Sequence, residues 1–234
     1  MTTFKEIRGQ LIKSVSSDPS PAAAGDMWYN STSQTLKGVV LSGAWSSGGN
    51  LGSGRQSLNA AVTSTQTAGL VFGGNPAPLR TATEEYGGTS WTAGGDMPVA
   101  KYSATGAGTL TAGLAMGGTT GSSDYLATTE EYNGTAWTAG GNMNTGRSDM
   151  GGGGTQTAGI VFGGYTGSNT AATELYDGSS WTTSAASLAT ARRIVGGCGT
   201  QSLALAFGGF GSGDSNATEE FTNTTEFSNK LDVS

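Results

Sequence analysis

Apolar and polar positions alternate along this chain in short bursts, and no stretch sustains the three-to-four-residue spacing of an amphipathic helix. A short apolar run closed by two glycines recurs, at residues 112–116 before Gly117-Gly118 and again before Gly163-Gly164 and Gly208-Gly209. Each run leads into a Thr-Glu-x-aromatic stretch and then into a tryptophan or phenylalanine. Trp45, Trp91, Trp137, Trp181 and Phe227 fall 46, 46, 44 and 46 residues apart. Between Trp91 and Trp137 the pattern predicts four strands, near residues 101–106, 112–116, 127–132 and 135–138. Thr109-Leu110-Thr111 turns the first strand into the second, and Thr65-Gln66-Thr67, Thr155-Gln156-Thr157 and Thr200-Gln201-Ser202 do so elsewhere. Gly87-Gly88, Asn133-Gly134 and Asp177-Gly178 join the third strand to the fourth, as dipeptides that favour two-residue hairpins with positive φ.

A repeat in the mid-forties made of four antiparallel strands predicts an all-β fold, a β-propeller of four-stranded blades. Residues 1–25 differ. Phe4, Ile7, Leu11, Ile12 and Val15 are apolar and loosely spaced, a Ser/Pro/Ala-rich linker follows over 16–25, and a hairpin is expected within 26–45. That hairpin aligns with part of a repeat, with Val40 where others carry tyrosine. The division expected is an attachment arm and linker over 1–25 and a propeller over 26–234. Four repeats are then joined by a composite fifth blade, in which a strand at 230–233 completes the hairpin and leaves no open sheet edge. The alternative is four blades with 26–45 as a separate docking hairpin.

Composition fits many short strands and tight turns: 41 glycines, with only 12% charged residues. Residues 1–45 carry a net charge of +1 and the remainder −7. An acidic repeat body without a basic stripe argues against nucleic acid as a partner. No apolar run approaches the roughly 18–20 residues that span a bilayer, and residues 1–25 lack the apolar core of a secretory signal. The single cysteine, Cys198, cannot form an internal disulfide and is expected as a small buried filler beside Ile194 and Val195.

Candidate chemistry is sparse. The carboxylates Glu84/Glu85, Glu130/Glu131, Glu174 and Glu219/Glu220 could suggest the paired acids of a glycosidase. Their common register instead gives one structural carboxylate per repeat, meeting Arg55, Lys101, Arg147 or Arg193. Histidine is absent, which removes Ser-His-Asp and Cys-His catalysis and the commonest metal ligand. No Asp-x-Asp-x-Asp spacing supports calcium, and the glycines of 151–154 lack the Lys-Ser/Thr of a phosphate loop. No catalytic residue, metal or cofactor is therefore expected. Trp91, Trp137 and Trp181 could stack on sugars, but their strict register assigns them to packing between repeats. The irregular loops over 75–82, 119–126, 165–171 and 210–216 emerge at one end of the blades. They carry Arg80, Asp124, Tyr125, Tyr165, Phe210 and Asp214, a candidate ligand-binding face whose plainer reading is ordinary loop packing.

Taken together, Glu85-Tyr86, Trp91, Met97, Lys101 and Gly117-Gly118, then Glu131-Tyr132, Trp137, Met143, Arg147 and Gly163-Gly164, resemble the kelch motif over about 185 residues. The third copy carries Glu174-Leu175-Tyr176, and the fourth degrades to Glu220-Phe221 and Phe227. The segment Ile12-Lys13-Ser14-Val15, Asp26-Met27-Trp28-Tyr29-Asn30 and Leu36-Lys37-Gly38 is similar to the leader of tail-associated virion proteins of bacteriophages of aquatic bacteria. The resemblance implies a non-enzymatic virion protein, assembled in the host cytoplasm in multiple copies. Residues 1–45 would bind other virion proteins, through Phe4, Ile7, Leu11, Ile12 and Val15 among others, without membrane insertion. The propeller would face outward as a tail fibre or tail-associated module that contacts a host-surface glycan or protein. The alternatives are a capsid or tail decoration protein that binds only virion partners, and a polysaccharide-degrading enzyme.

Overall fold

The computed structural model describes residues 12–22, 26–39, 45–61, 63–76, 81–121 and 123–223. The chain is all-β and divides into two compact units, residues 1–47 and 48–234.

The first unit holds one three-stranded sheet of β1 (Lys13–Val15), β2 (Met27–Asn30) and β3 (Thr35–Gly38). β2 and β3 form the expected hairpin, and Asn30 Oδ1 closes its turn by accepting the N–H groups of Thr32 and Ser33, both at 3.0 Å. β1, from the segment read as an arm, adds to β2 in a parallel ladder. Because side chains alternate across a sheet, Trp28, Asn30 and Lys37 share a face, and all three meet one carboxylate. Asp18 accepts from Lys37 Nζ at 2.6 Å, Asn30 Nδ2 at 2.7 Å and Trp28 Nε1 at 2.9 Å. These bonds, that of Lys37 foremost, hold the Asp18 carboxyl down at about 2. Trp45, which keeps the repeat spacing, is exposed and lies in no strand. Phe4, Ile7, Leu11 and the expected closing strand at 230–233 lie outside the described residues.

Among the described residues the second unit contains four sheets, each a simple antiparallel meander. They are β4 (Asn59–Ala60) to β7 (Trp91–Ala93) through β5 (Gly69–Phe72) and β6 (Thr83–Tyr86), and β8 (Thr105–Thr109) to β11 (Trp137–Ala139) through β9 (Ala112–Met116) and β10 (Thr129–Tyr132). The third runs β12 (Gly151–Thr155), β13 (Ala158–Phe162), β14 (Thr173–Tyr176), β15 (Trp181–Thr183), and the fourth β16 (Gly196–Gly199), β17 (Leu203–Phe207), β18 (Thr218–Thr222). The last two strands of each four-stranded sheet are joined by four residues rather than two. Only the glycine is left-handed, at φ 92°, 90° and 92° for Gly88, Gly134 and Gly178. Asn133 and Asp177 stay at negative φ because their side chains cap the turn, accepting two backbone N–H groups each.

The first strands of successive sheets stand side by side, β8 beside β4 and β12, and β12 beside β16. This approach is backbone to backbone: a Cβ at Gly106 would collide with the Ala60 carbonyl oxygen. The sheets are bolted together farther out. Trp137 Nε1 donates to Thr83 Oγ1 at 2.8 Å and Trp181 Nε1 to Thr129 Oγ1 at 2.9 Å, each from one sheet to the sheet before it. Tyr132 Oη donates to Glu85, and Tyr176 Oη to Glu131 at 2.6 Å. Burial foremost, and then these carboxylates, push both phenols up to about 12. At the third joint the corresponding residues are Leu175 and Phe221, which pack in one apolar cluster. Carboxylate and hydroxyl are thus replaced together, so neither is left buried without its partner. Trp137 and Trp181 are buried as expected. Trp91, in the first sheet of the unit, is only half-buried.

The other glutamate of each pair points the opposite way, into its own sheet's entry loop. Arg55–Glu84 (2.7 Å), Lys101–Glu130, Arg147–Glu174 and Arg192–Glu219 (2.9 Å) are ion pairs whose cationic side chains are at most 1% exposed. The fourth cation is Arg192, not the expected Arg193. Burial lowers the pKa values of Lys101 and Arg147, and their glutamates pull the other way. The second carboxylate oxygen accepts a backbone N–H from Gly52 (2.7 Å), Asn144 (2.7 Å) or Ala189 (2.7 Å). In the second repeat that place is taken by Pro98, which has no N–H, and Glu130 Oε1 is buried without a hydrogen bond. Cys198, expected inside, is exposed.

Two residues ahead of each first strand stands a non-glycine residue at positive φ: Ser57 (51°), Ser103 (49°), Asp149 (53°) and Ile194 (55°). Their backbones form a chain of hydrogen bonds. Ser103 N donates to Ser57 O at 3.3 Å, Asp149 N to Ser103 O at 2.9 Å, and Ile194 N to Asp149 O at 2.7 Å. The left-handed region costs an L-residue about 1–2 kcal/mol, and a β-branched side chain there is a true outlier.

Candidate functional site at the loop face

The irregular loops leave the sheets through backbone bridges that pair Gln56 with Asn75, Tyr102 with Thr119, Ser148 with Tyr165 and Arg193 with Phe210. These bridges carry the strand pairing past the diglycines, whose φ values of 64° and 105° at Gly163 and Gly164 bend the chain where a side chain would be strained. Each loop therefore starts from a fixed point.

Three loops converge on one cluster. Tyr125 meets Tyr165 edge to face, with ring centroids 5.4 Å apart. The Arg193 guanidinium lies 4.6 Å from the Tyr165 ring centroid and 5.4 Å from that of Phe210. Asn169 Nδ2 ties the third loop to the fourth, donating to Phe210 O at 3.1 Å and Gly211 O at 3.0 Å. Burial raises the Tyr125 phenol pKa, with a further push from Tyr165, while Arg193 pulls it down. Arg193 forms no ion pair among the described residues. Its stacking contacts, half in water, contribute about 0.5–1 kcal/mol each.

Of the residues expected on this face, Tyr125, Tyr165 and Phe210 come together in the cluster. Asp124 braces its own loop, accepting from Thr119 Oγ1 (3.2 Å), Thr120 N (3.2 Å) and Thr120 Oγ1 (2.5 Å). Asp214 is exposed, its backbone bridged to Phe210. Arg80 lies outside the described residues. Arg193 was missed as a member of the cluster because the Arg192-Arg193 pair offers two cations for one carboxylate. The available signal was register: the positions matching Arg193 in the other repeats are Gln56, Tyr102 and Ser148, none of them basic.

The cluster offers aromatic faces, a phenol and guanidinium N–H groups, which suits binding of planar or hydroxylated groups. Among the described residues, no group of three or more His, Cys, Asp or Glu could hold a metal ion. No helix there is long and apolar enough to cross a membrane. No protein-family model matches the chain, and no curated protein shows significant similarity to it.

Proposed function

We propose that residues 48–234 are the blades of a kelch-like β-propeller, and that the chain is a non-enzymatic component of a bacteriophage particle that contacts the host surface through its loop face. The observation that carries this reading is the Tyr125–Tyr165–Arg193–Phe210 cluster, in which three loops anchored by backbone bridges present aromatic and cationic groups together. Anchored loops lose little freedom on binding, so contacts they make are not offset by a large ordering cost. Ring closure by residues 26–45 with 230–233 belongs to the same proposal. So does attachment to other virion proteins through residues 1–45. The acidic repeat body supports a partner other than nucleic acid.

Cryo-electron microscopy of a particle carrying the chain, at a resolution that places residues 1–45 and the four irregular loops, tests the proposal. Host contact requires the first segment buried in other virion proteins and the loops facing outward. Loops buried against a neighbouring virion subunit would make the protein an architectural joint and sink the receptor reading.

A further inference from the structure

An arginine carries N–H donors and no acceptor, and among the described residues no carboxylate answers those of Arg193. Its Nε is enclosed without a hydrogen bond, where the rings of Tyr165 and Phe210 stand 4.6 Å and 5.4 Å from the guanidinium carbon. Nη1 and Nη2 form no hydrogen bond among the described residues and, unlike Nε, reach solvent. Two acids of neighbouring turns are met by hydroxyls instead, Asp124 by Thr119 and Thr120 and Asp149 by Ser148. The fork is also fixed in place. Arg193 N donates to Phe210 O at 3.0 Å and Phe210 N to Arg193 O at 2.7 Å, and Tyr165 is bridged in the same way to Ser148. Both rings thus stand at the anchored ends of their loops. Packing does not demand a cation here, because Gln56, Tyr102 and Ser148 hold the matching position in the other repeats.

We propose that this fork binds the carboxylate of a hexuronic acid unit in an acidic glycan, an inference that rests on the host-contact reading and names the chemistry such contact would use. A carboxylate is planar, and its two oxygens meet a guanidinium edge in two parallel N–H···O bonds. The pyranose ring that carries it rests its C–H groups on Phe210, which is 36% exposed beside the guanidinium. The acids of the repeat body do not forbid an anion here. At physiological salt exposed charges are largely screened beyond about 8 Å, so the local cation decides.

Saturation-transfer NMR on the full chain tests the site, with methyl glucuronide and methyl galacturonide set against methyl glucoside, methyl galactoside and glucose 6-phosphate. At least one uronide should receive more saturation than its neutral parent. Arg193→Gln keeps a planar amide without the charge and should weaken that binding about tenfold. Phe210→Leu keeps the charge and should weaken the same probe by a smaller factor. The bridge between Arg193 and Phe210 is made by backbone groups alone, so both variants should stay folded, as their urea midpoints will show. No transfer to either uronide, or transfer unchanged in Arg193→Gln, overturns the site. Stronger binding of glucose 6-phosphate than of both uronides overturns the carboxylate. Neutral parents bound as well as the uronides, and lost in Arg193→Gln, sink the carboxylate and spare host contact at the cluster. Virion-buried loops seen by microscopy would instead remove host contact whatever the probes show.

Discussion

Arg192 and Arg193 leave the same loop in opposite directions. The first turns inward, 1% exposed, to face Glu219, and the second lies over the rings of Tyr165 and Phe210 at the surface. The difference shows what each environment demands. A guanidinium taken out of water needs a carboxylate, because an uncompensated buried charge costs several kcal/mol. One left half in water can rest on aromatic faces and keep its N–H edge available. Among the described residues the interior therefore repeats the same kind of ion pair four times, whereas Arg193 on the loop face is stacked on aromatic rings instead. Burial dictates the first pattern, and the second is unconstrained by packing, as a binding surface would be.

The largest expected effect breaks the inner half of this comparison. Glu174→Ala strands Arg147 among carbonyl groups and should lower stability by about 3–5 kcal/mol, whereas Arg193→Ala, which loses two half-exposed cation–aromatic contacts at about 0.5–1 kcal/mol each, should cost about 1–2 kcal/mol. Urea titration of both variants checks the contrast, and equal losses would erase it. A smaller effect concerns the joints between sheets. Leu175→Glu alone sets a carboxylate against the Phe221 ring and should cost about 1–3 kcal/mol. Adding Phe221→Tyr rebuilds the polar joint of the other interfaces and should recover part of that loss. The double-mutant cycle should give a favourable coupling of about 0.5–3 kcal/mol, and strict additivity would mean the two residues do not communicate. The smallest effect is a gain. Pro98→Asn restores the N–H that Glu130 lacks, a bond to a charged group contributing about 1.5–3 kcal/mol. A looser unfolded chain offsets about 0.4–1 kcal/mol of it, so a net gain of about 1 kcal/mol should appear in thermal melts.

Much of the fold was legible because its physics repeats. The apolar run of β9 lies at residues 112–116 as expected, and the register of Trp137 and Trp181 marked them as interior before any contact was known. Trp91 shares that register yet is half-buried, because periodicity reports a residue's role within a repeat and not whether its unit holds a preceding sheet. The opposite facing of Glu130 and Glu131 followed from strand alternation alone. Features that depend on one backbone angle or on distant pairing were not legible. Serine gives no signal of the left-handed turn before each first strand, aspartate only a weak one, and Ile194 argues against it by its own preference. The parallel pairing of β1 with β2 leaves no period to read. Arg193 acquires its interest only once two loops bring the rings of Tyr165 and Phe210 against it.

The Leu175–Phe221 joint also turns repeat order into an address. A copied unit bearing Tyr132 and Glu131 could be inserted at either polar joint and find its hydroxyl and carboxylate answered on both sides. Set after β15, the same copy would press a tyrosine hydroxyl against Leu175 and an acid against Phe221. Lengthening of this array by duplication is therefore open in its middle and closed near its end, unless two substitutions arrive together.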